Sequence, residues 1–136
     1  RLLGIDTPKI ACIAPSEQVL PSVPSSTEGA ILAKMGDRGQ LGNAIVDGPL
    51  SLDVALYKEV AEHKKVKGSA VAGDPDCLLF PNIESANVFF KAATHFGGAE
   101  LAAMVMGTKV PCVLTSRGDS RLTKMYSIAL ACLAAR

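Results

Sequence analysis

The sequence predicts an α/β layer fold in which a mixed, mostly parallel sheet is flanked by helices. Three observations carry this. Short apolar runs bounded by Pro, Gly, Asp and Asn alternate with longer segments whose apolar residues recur at helical spacing. The short runs are apolar almost throughout, as strands covered on both faces are. Two late runs are joined only by Gly107-Thr108-Lys109, too short a link for a parallel crossover, so one pair must be antiparallel.

Taken in order, Lys9-Ile10-Ala11-Cys12-Ile13-Ala14 lies between Pro8 and Pro15 and reads as the first strand, after a helix end at Leu2-Leu3-Gly4. Residues 16–26 contain Pro21, Pro24 and several serines and read as an irregular loop. Ser26-Thr27-Glu28 caps a short helix through Met35, closed by Gly36. Asn43-Ala44-Ile45-Val46 is the second strand and runs straight into Asp47-Gly48-Pro49. Ser51 caps the next helix, whose apolar face is Leu52, Ala55, Leu56 and Val60, with Lys58, Glu59 and Glu62 opposite. It fades into Lys64-Lys65-Val66-Lys67-Gly68. Cys77-Leu78-Leu79-Phe80 is the third strand, and Pro81-Asn82 opens a helix over residues 83–96 that Gly97-Gly98 ends. Residues 101–106 and 110–114 are two more strands, and the last helix starts near Ser120.

Composition sets the bounds. A chain of 136 residues with 49% hydrophobic and 20% charged residues is one domain, or one large piece of a two-domain protein, with a real core. A net charge of +1, two Tyr, four Phe and no Trp leave neither a basic face nor a row of stacking rings, which argues against nucleic-acid binding. No apolar run approaches the ~18 residues of a membrane span, and no basic-then-apolar leader is present, so a cytoplasmic protein is expected. Cys12, Cys77, Cys112 and Cys132 each sit in an apolar run without a CxxC pair. They read as buried thiols in a reducing compartment, not as a disulfide framework or a zinc site. His63 and His95 lie near helix ends with no ligand-spaced partner, which speaks against a metal or a catalytic triad. Met104, Met106 and Met125 read as core filler, and Lys64, Lys65 and Lys67 as a solvated patch.

Chemistry concentrates at Leu114-Thr115-Ser116-Arg117-Gly118-Asp119-Ser120. An apolar run, a Gly-containing turn and a helix start point free N–H groups and a helix dipole at one spot. Ser116 adds a hydroxyl and Arg117 a bidentate cation, which suits phosphate or another oxyanion. Asp47-Gly48-Pro49 and Pro81-Asn82, the latter leading to Asn87 and Lys91, share the same strand–turn–helix grammar. In a parallel sheet such junctions meet on one rim. Each also has a plainer reading. Asp47-Gly48-Pro49 is equally an ordinary turn, Asn82 reads first as an N-cap, and Asn87 with Lys91 matches a polar helix stripe; Ser116 with Arg117 also reads as a helix cap, though its apolar flanks speak against that.

The ordered set of these pieces resembles the phosphate acetyl/butyryltransferase (phosphotransacylase) family. The matching residues are Asp47-Gly48-Pro49-Leu50 with Asp53, Val71-Ala72-Gly73-Asp74, Leu78-Leu79, Pro81-Asn82-Ile83-Glu84 with Asn87 and Lys91, then Gly107, Lys109, Pro111 and residues 114–120. Thr115-Ser116-Arg117 and Tyr126-Ser127-Ile128-Ala129-Leu130-Ala131 resemble the butyryl branch more than the acetyl branch. The resemblance covers residue 9 to the end and implies only the C-terminal half of a family chain. It implies residues 1–136 as the second α/β domain, in the isocitrate/isopropylmalate dehydrogenase-like fold, with the last helix (about residues 120–136) packing toward the absent first domain.

The implied activity is transfer of a butyryl or other short acyl group, acetyl included, between coenzyme A and inorganic phosphate. The implied site has Ser116, Arg117 and Asp119 as catalytic residues, and Asp47, Gly48, Pro49, Asn82, Asn87, Lys91 and Gly118 as substrate-binding residues. No metal or cofactor is implied, since coenzyme A and phosphate are substrates, and a homodimer is expected. Thr123 stands seven positions after Ser116, where the acetyl branch carries an aspartate, and Asp119 is the nearest carboxylate to replace it, unless it merely caps the helix. An arginine of the acetyl branch falls near Thr94, and a glycine of many members is Ala86. The alternative reading is a non-catalytic anion-binding or dimerisation module of the same fold.

Overall fold

A computed structural model describes residues 3–135. These residues divide into two compact units, 3–86 and 87–135. The first contains β1 (Lys9–Ile13), α1 (Pro24–Asp37), β2 (Ile45–Leu50), α2 (Leu52–Leu56), α3 (Lys58–His63) and β3 (Cys77–Leu79). The helix α4 (Ile83–His95) begins in the first unit and continues into the second, which also holds α5 (Arg121–Ala134). Of the expected helix end at Leu2-Leu3-Gly4, Leu2 lies outside the described residues; Gly4 forms a bend with φ +76°.

The sheet has strand order β2-β1-β3, and both pairings are parallel. One face carries Ala11, Leu50, Val54, Ala55, Ala61 and Val71, a buried cluster supplied by β1, β2, α2, α3 and the loop after them. The other face, with Cys12, Val46 and Pro49, packs on α1. Coverage on both sides explains why the central strand β1 is apolar without alternation, whereas the edge strand β3 leaves Cys77 and Leu79 exposed. The Lys9 N–H donates to Asp76 at 2.8 Å, Asp76 N–H donates back to the Lys9 carbonyl at 2.9 Å, and the Lys9 ammonium pairs with Asp74. This clamp sets β3 in register on β1.

Several boundaries differ from the sequence reading, each for a physical reason. α1 starts at Pro24, inside the expected loop, because proline's fixed φ and missing N–H suit a first helical position. Ser26 therefore does not cap it. Its buried hydroxyl donates to the Gln18 carbonyl at 2.6 Å and accepts the Leu20 N–H at 2.7 Å, tying down the loop before α1. Gly36 does not close the helix either; it lies within α1, where a side chain would meet Val46 Cβ at 3.0 Å.

The expected helix after Ser51 breaks at Tyr57, whose backbone is extended, into α2 and α3. The break admits the 71–74 loop. Gly73 N–H donates to the Ala55 carbonyl at 3.0 Å, and a Cβ on Gly73 would stand 2.5 Å from Lys58 Cα. With φ at +82° as well, glycine is the residue this contact tolerates. Residues 101–106 and 110–114 form no strand pair beyond one antiparallel bridge, Val105 to Cys112, so the antiparallel element is a single bridge outside the three-stranded sheet.

Among the thiols only Cys12 is buried; Cys77, Cys112 and Cys132 are exposed, correcting the expectation of four buried cysteines. Cys77 opens the edge strand β3, Cys112 lies in the lone bridge and Cys132 is on the outer side of α5. Met106 and Met125 are exposed too, not core filler. α5 buries Thr123 and Ser127 while Leu122, Met125, Ile128 and Leu133 face outward. No described helix is long and apolar enough to cross a membrane.

Candidate functional site

Asp47-Gly48-Pro49 is part of β2, not a turn after it. Asp47 pairs with Ala11 and Leu50 with Ile13, so Gly48 and Pro49 oppose Cys12 as a bulge, one of the few places a strand accepts proline. Asp47 is half-buried and its carboxylate accepts the Gly48 N–H at 2.8 Å, while Pro49 is buried. Gly48 is pressed against β1, where a Cβ would lie 2.6 Å from Cys12 Cβ. Burial, helped by the charge of Asp47 and by Cys77, pushes the Cys12 thiol up to about 11. Asn82 is exposed and accepts the Ser85 N–H at 2.9 Å, which makes it the cap of α4.

Sequence reasoning missed a charged cluster around Ser51. The Ser51 hydroxyl bonds both Glu17 and Asp53, the latter at 2.6 Å, and the Lys64 ammonium donates to it at 3.2 Å. Lys64 also pairs with Asp53 at 3.1 Å and Glu17 at 3.7 Å. Ser51 is thus at the N-cap position of α2 without capping it, and Lys64 is a paired residue rather than part of a solvated patch. The Ser51 hydroxyl, then Lys64, holds the Asp53 carboxyl down at about 2. Burial opposes ionisation of Glu17, but Ser51 and Lys64 outweigh it and keep its carboxyl below the ordinary range. No local sequence signal could reveal this cluster, because Glu17 and Lys64 lie far apart along the chain.

In the second unit the Ser116–Asp119 turn closes on itself. The Asp119 N–H donates to the Ser116 carbonyl at 3.2 Å, and the Ser116 N–H donates to the Asp119 carboxylate at 2.6 Å. Asp119 therefore does not cap α5. That role falls to Ser120, whose Oγ accepts the Thr123 N–H at 3.0 Å. Thr123 is buried, with its carbonyl accepting from the Ser127 hydroxyl at 2.7 Å. Ser116 and Arg117 are exposed, and a Cβ on Gly118 would meet nothing within 4 Å, so the outer side of the turn is open. Among the described residues Arg117 has no ion-pair partner.

Beside this turn lies a cavity of about 180 Å³ whose lining includes Lys91, Thr94, His95, Gly118, Asp119 and Thr123. Lys91 is thereby brought together with Gly118 and Asp119. Ser116 and Arg117 do not line the cavity, and Asn87 is exposed one turn earlier on α4. Asp47, Gly48, Pro49 and Asn82 belong to the 3–86 unit. Thr94 and Thr123, both marked as departures in the sequence, share the cavity wall. His95, set aside as a lone histidine, is there too; its spacing of four from Lys91 on one helix was the available signal. No described group of His, Cys, Asp and Glu could hold a metal ion.

Parallel strands packed against helices define an α/β fold. The chain belongs to the phosphate acetyl/butaryl transferase family, whose pattern matches residues 1–132. It is similar to the phosphate butyryltransferase of Clostridium beijerinckii, at 51% identity over 132 residues, covering 97% of this chain and 43% of that protein. The phosphate acetyltransferase of Thermotoga maritima is 47% identical over 96% of this chain and 44% of its own length. A branched-chain phosphotransacylase from Enterococcus faecalis V583 superimposes with a TM-score of 0.89 at 38% identity, over 99% of this chain and 48% of that one. The chain therefore spans less than half the length of the relatives it matches.

Proposed function

We propose that this chain supplies part of the site of an acyltransferase that moves a short acyl group, butyryl or another including acetyl, between coenzyme A and inorganic phosphate. The reaction is acyl-CoA plus phosphate giving acyl phosphate plus CoA. The observation that carries the reading is the open Ser116-Arg117-Gly118 turn in a chain of this family. In the acyl-CoA-forming direction, the CoA thiolate attacks the carbonyl carbon of the acyl phosphate. A tetrahedral intermediate forms, the bond from carbon to the phosphate oxygen breaks, and inorganic phosphate leaves. Arg117 holds the phosphoryl oxygens, and Ser116 donates a hydrogen bond near the acyl carbon where negative charge develops.

Asp119, the carboxylate closest to the turn, takes the thiol proton in this reading. Its bond to the Ser116 N–H keeps it beside the serine. Lys91 and Gly118 supply further donors, and Asp47, Gly48, Pro49, Asn82 and Asn87 complete the substrate contacts. Only coenzyme A and phosphate are called for, with no cofactor, in a cytoplasmic homodimer. The outward apolar side chains of α5 support its packing against another domain of the family protein.

The test is a melting curve with and without phosphate, alongside turnover of acetyl-, propionyl-, butyryl- and isobutyryl-CoA by the full-length parent. Ligand at ten times its Kd stabilises by about 1.4 kcal/mol. Phosphate should raise the melting temperature, and Arg117→Ala should remove the rise. The 136-residue chain alone should turn over poorly, and robust acyl-CoA formation by it would refute that expectation. A phosphate response without turnover by the parent would favour the anion-binding module instead.

A further inference from the structure

We propose that His95, together with Lys91, forms the hydrogen-bond-donor wall of a subsite for a phosphate-class dianion in the cavity beside the Ser116–Asp119 turn. The proposal adds His95 to the substrate contacts and rests on the acyl-transfer reading for the identity of the anion.

Lys91 and His95 are separated by one helical turn on α4, so their side chains lie over the same face. Both line the cavity, whose volume of about 180 Å³ far exceeds the roughly 10–15 Å³ that admits one water. Neither makes an ion pair among the described residues. Among the described residues the ion pairs involve Lys9, Lys34 and Lys64, and the recorded contact of the Lys91 ammonium is the Phe90 ring, 4.3 Å from its centroid. The one carboxylate in the lining is Asp119, and it already accepts the Ser116 N–H. Thr94 is similarly occupied, its hydroxyl donating to α4 carbonyls at 3.0 and 3.1 Å.

A cavity with an ammonium and an imidazole on one wall, and its sole carboxylate held by a backbone N–H, selects an anion over a cation. Directional N–H donors suit the oxygens of phosphate. Two sources carry this chemistry: inorganic phosphate itself, and a phosphate ester of the coenzyme.

The chain has only two histidines, His63 in the first unit and His95 in the second, so each serves as the other's control. Ring-nitrogen NMR of the ¹⁵N-labelled 136-residue chain, titrated with inorganic phosphate or with adenosine 3′,5′-bisphosphate, reads the site directly. The expected result is movement of the His95 ring signals with His63 unmoved. A response to both ligands assigns the subsite to inorganic phosphate, and a response to the bisphosphate alone assigns it to the ester.

Lys91→Met and His95→Gln should each weaken binding by about tenfold or more by calorimetry, the scale of one hydrogen bond to a charged group, and His95→Arg should retain binding that His95→Gln loses. A static His95, or equal movement of both histidines, overturns the proposal, and so do affinities unchanged in both variants. If those variants leave binding intact while Arg117→Ala removes it, the cavity fails and the acyl-transfer reading survives. If they weaken binding and Arg117→Ala does not, the subsite stands and the role given to the turn falls.

Discussion

Substituting Gly48 with alanine is expected to be the most damaging single-methyl change in the sheet. The added Cβ would stand 2.6 Å from Cys12 Cβ and 3.1 Å from the Cys12 carbonyl oxygen, about 1 Å inside the ordinary separation of carbon atoms. Cys12 is 3% exposed and its Cβ is fixed to β1, so no rotamer relieves the overlap. The strands must part, next to a register already slipped between Ala11 and Ile13. Overpacking costs about 1–3 kcal/mol, and a backbone-anchored obstacle puts this case at the upper end, about 3 kcal/mol. That corresponds to a loss on the order of 10–20 °C in melting temperature. Urea unfolding followed by circular dichroism, with an unchanged slope, measures it. The decisive variant is Gly48→Ala combined with Cys12→Gly, which removes the nearest obstacle. It should recover at least about 1 kcal/mol relative to the sum of the two single changes. A loss below about 0.5 kcal/mol, or strict additivity, would refute the close-approach argument.

Two further outcomes follow from the titrating groups. Asp53 falls from the ordinary 3.8 to about 2 in the folded chain, so the folded state binds fewer protons than the unfolded state between those values. Its contribution is complete above about pH 4 and fades toward pH 2, and Asp53→Asn should flatten that acid limb of the melting curve; an unaltered limb would exclude the Ser51–Lys64 contact as its source. Cys12 has the opposite sign. Raised from 9.0 to about 11, it contributes fully below pH 9 and loses that contribution as pH rises through 11. Peptide mapping after iodoacetamide should find Cys12 unmodified while Cys112 and Cys132 react, and equal rates at all three would contradict its burial.

Much of the fold was legible because local rules dominated it. β1, β3, α4 and α5 lie within a residue or two of their expected positions, marked by Pro8, Pro15, Asp74-Pro75-Asp76, Asn82, Gly97 and Ser120. Apart from the start of α1 at Pro24, the failures are non-local. Gly36 reads as a helix stop and instead marks where α1 touches Val46. Asp47-Gly48-Pro49 has the composition of a turn, yet pairing with β1 holds it in the sheet. The continuous apolar stripe after Ser51 hides a break imposed by Gly73 arriving from the next loop. Residues 101–106 and 110–114 have strand composition but meet one another in a single bridge.

The candidate site divides the same way. Ser116, Arg117 and Asp119 are close enough in the chain for the turn itself to be legible, and their order with Asp47, Asn87 and Lys91 sufficed to indicate the family. The roles within the turn needed coordinates. Asp119 and Ser120 are both competent caps, and only the placement of Thr123 assigns the cap to Ser120 and frees Asp119 to hold the Ser116 N–H. By itself the sequence determined the α/β class and the positions of β1, β3, α4 and α5, because propensity, capping and periodicity act over a few residues. The tertiary structure alone decided that Lys91, His95, Asp119 and Thr123 share one cavity, and that Glu17, Ser51 and Lys64 share one charge cluster. Contacts between distant segments depend on how whole elements pack, which no window of neighbouring residues encodes.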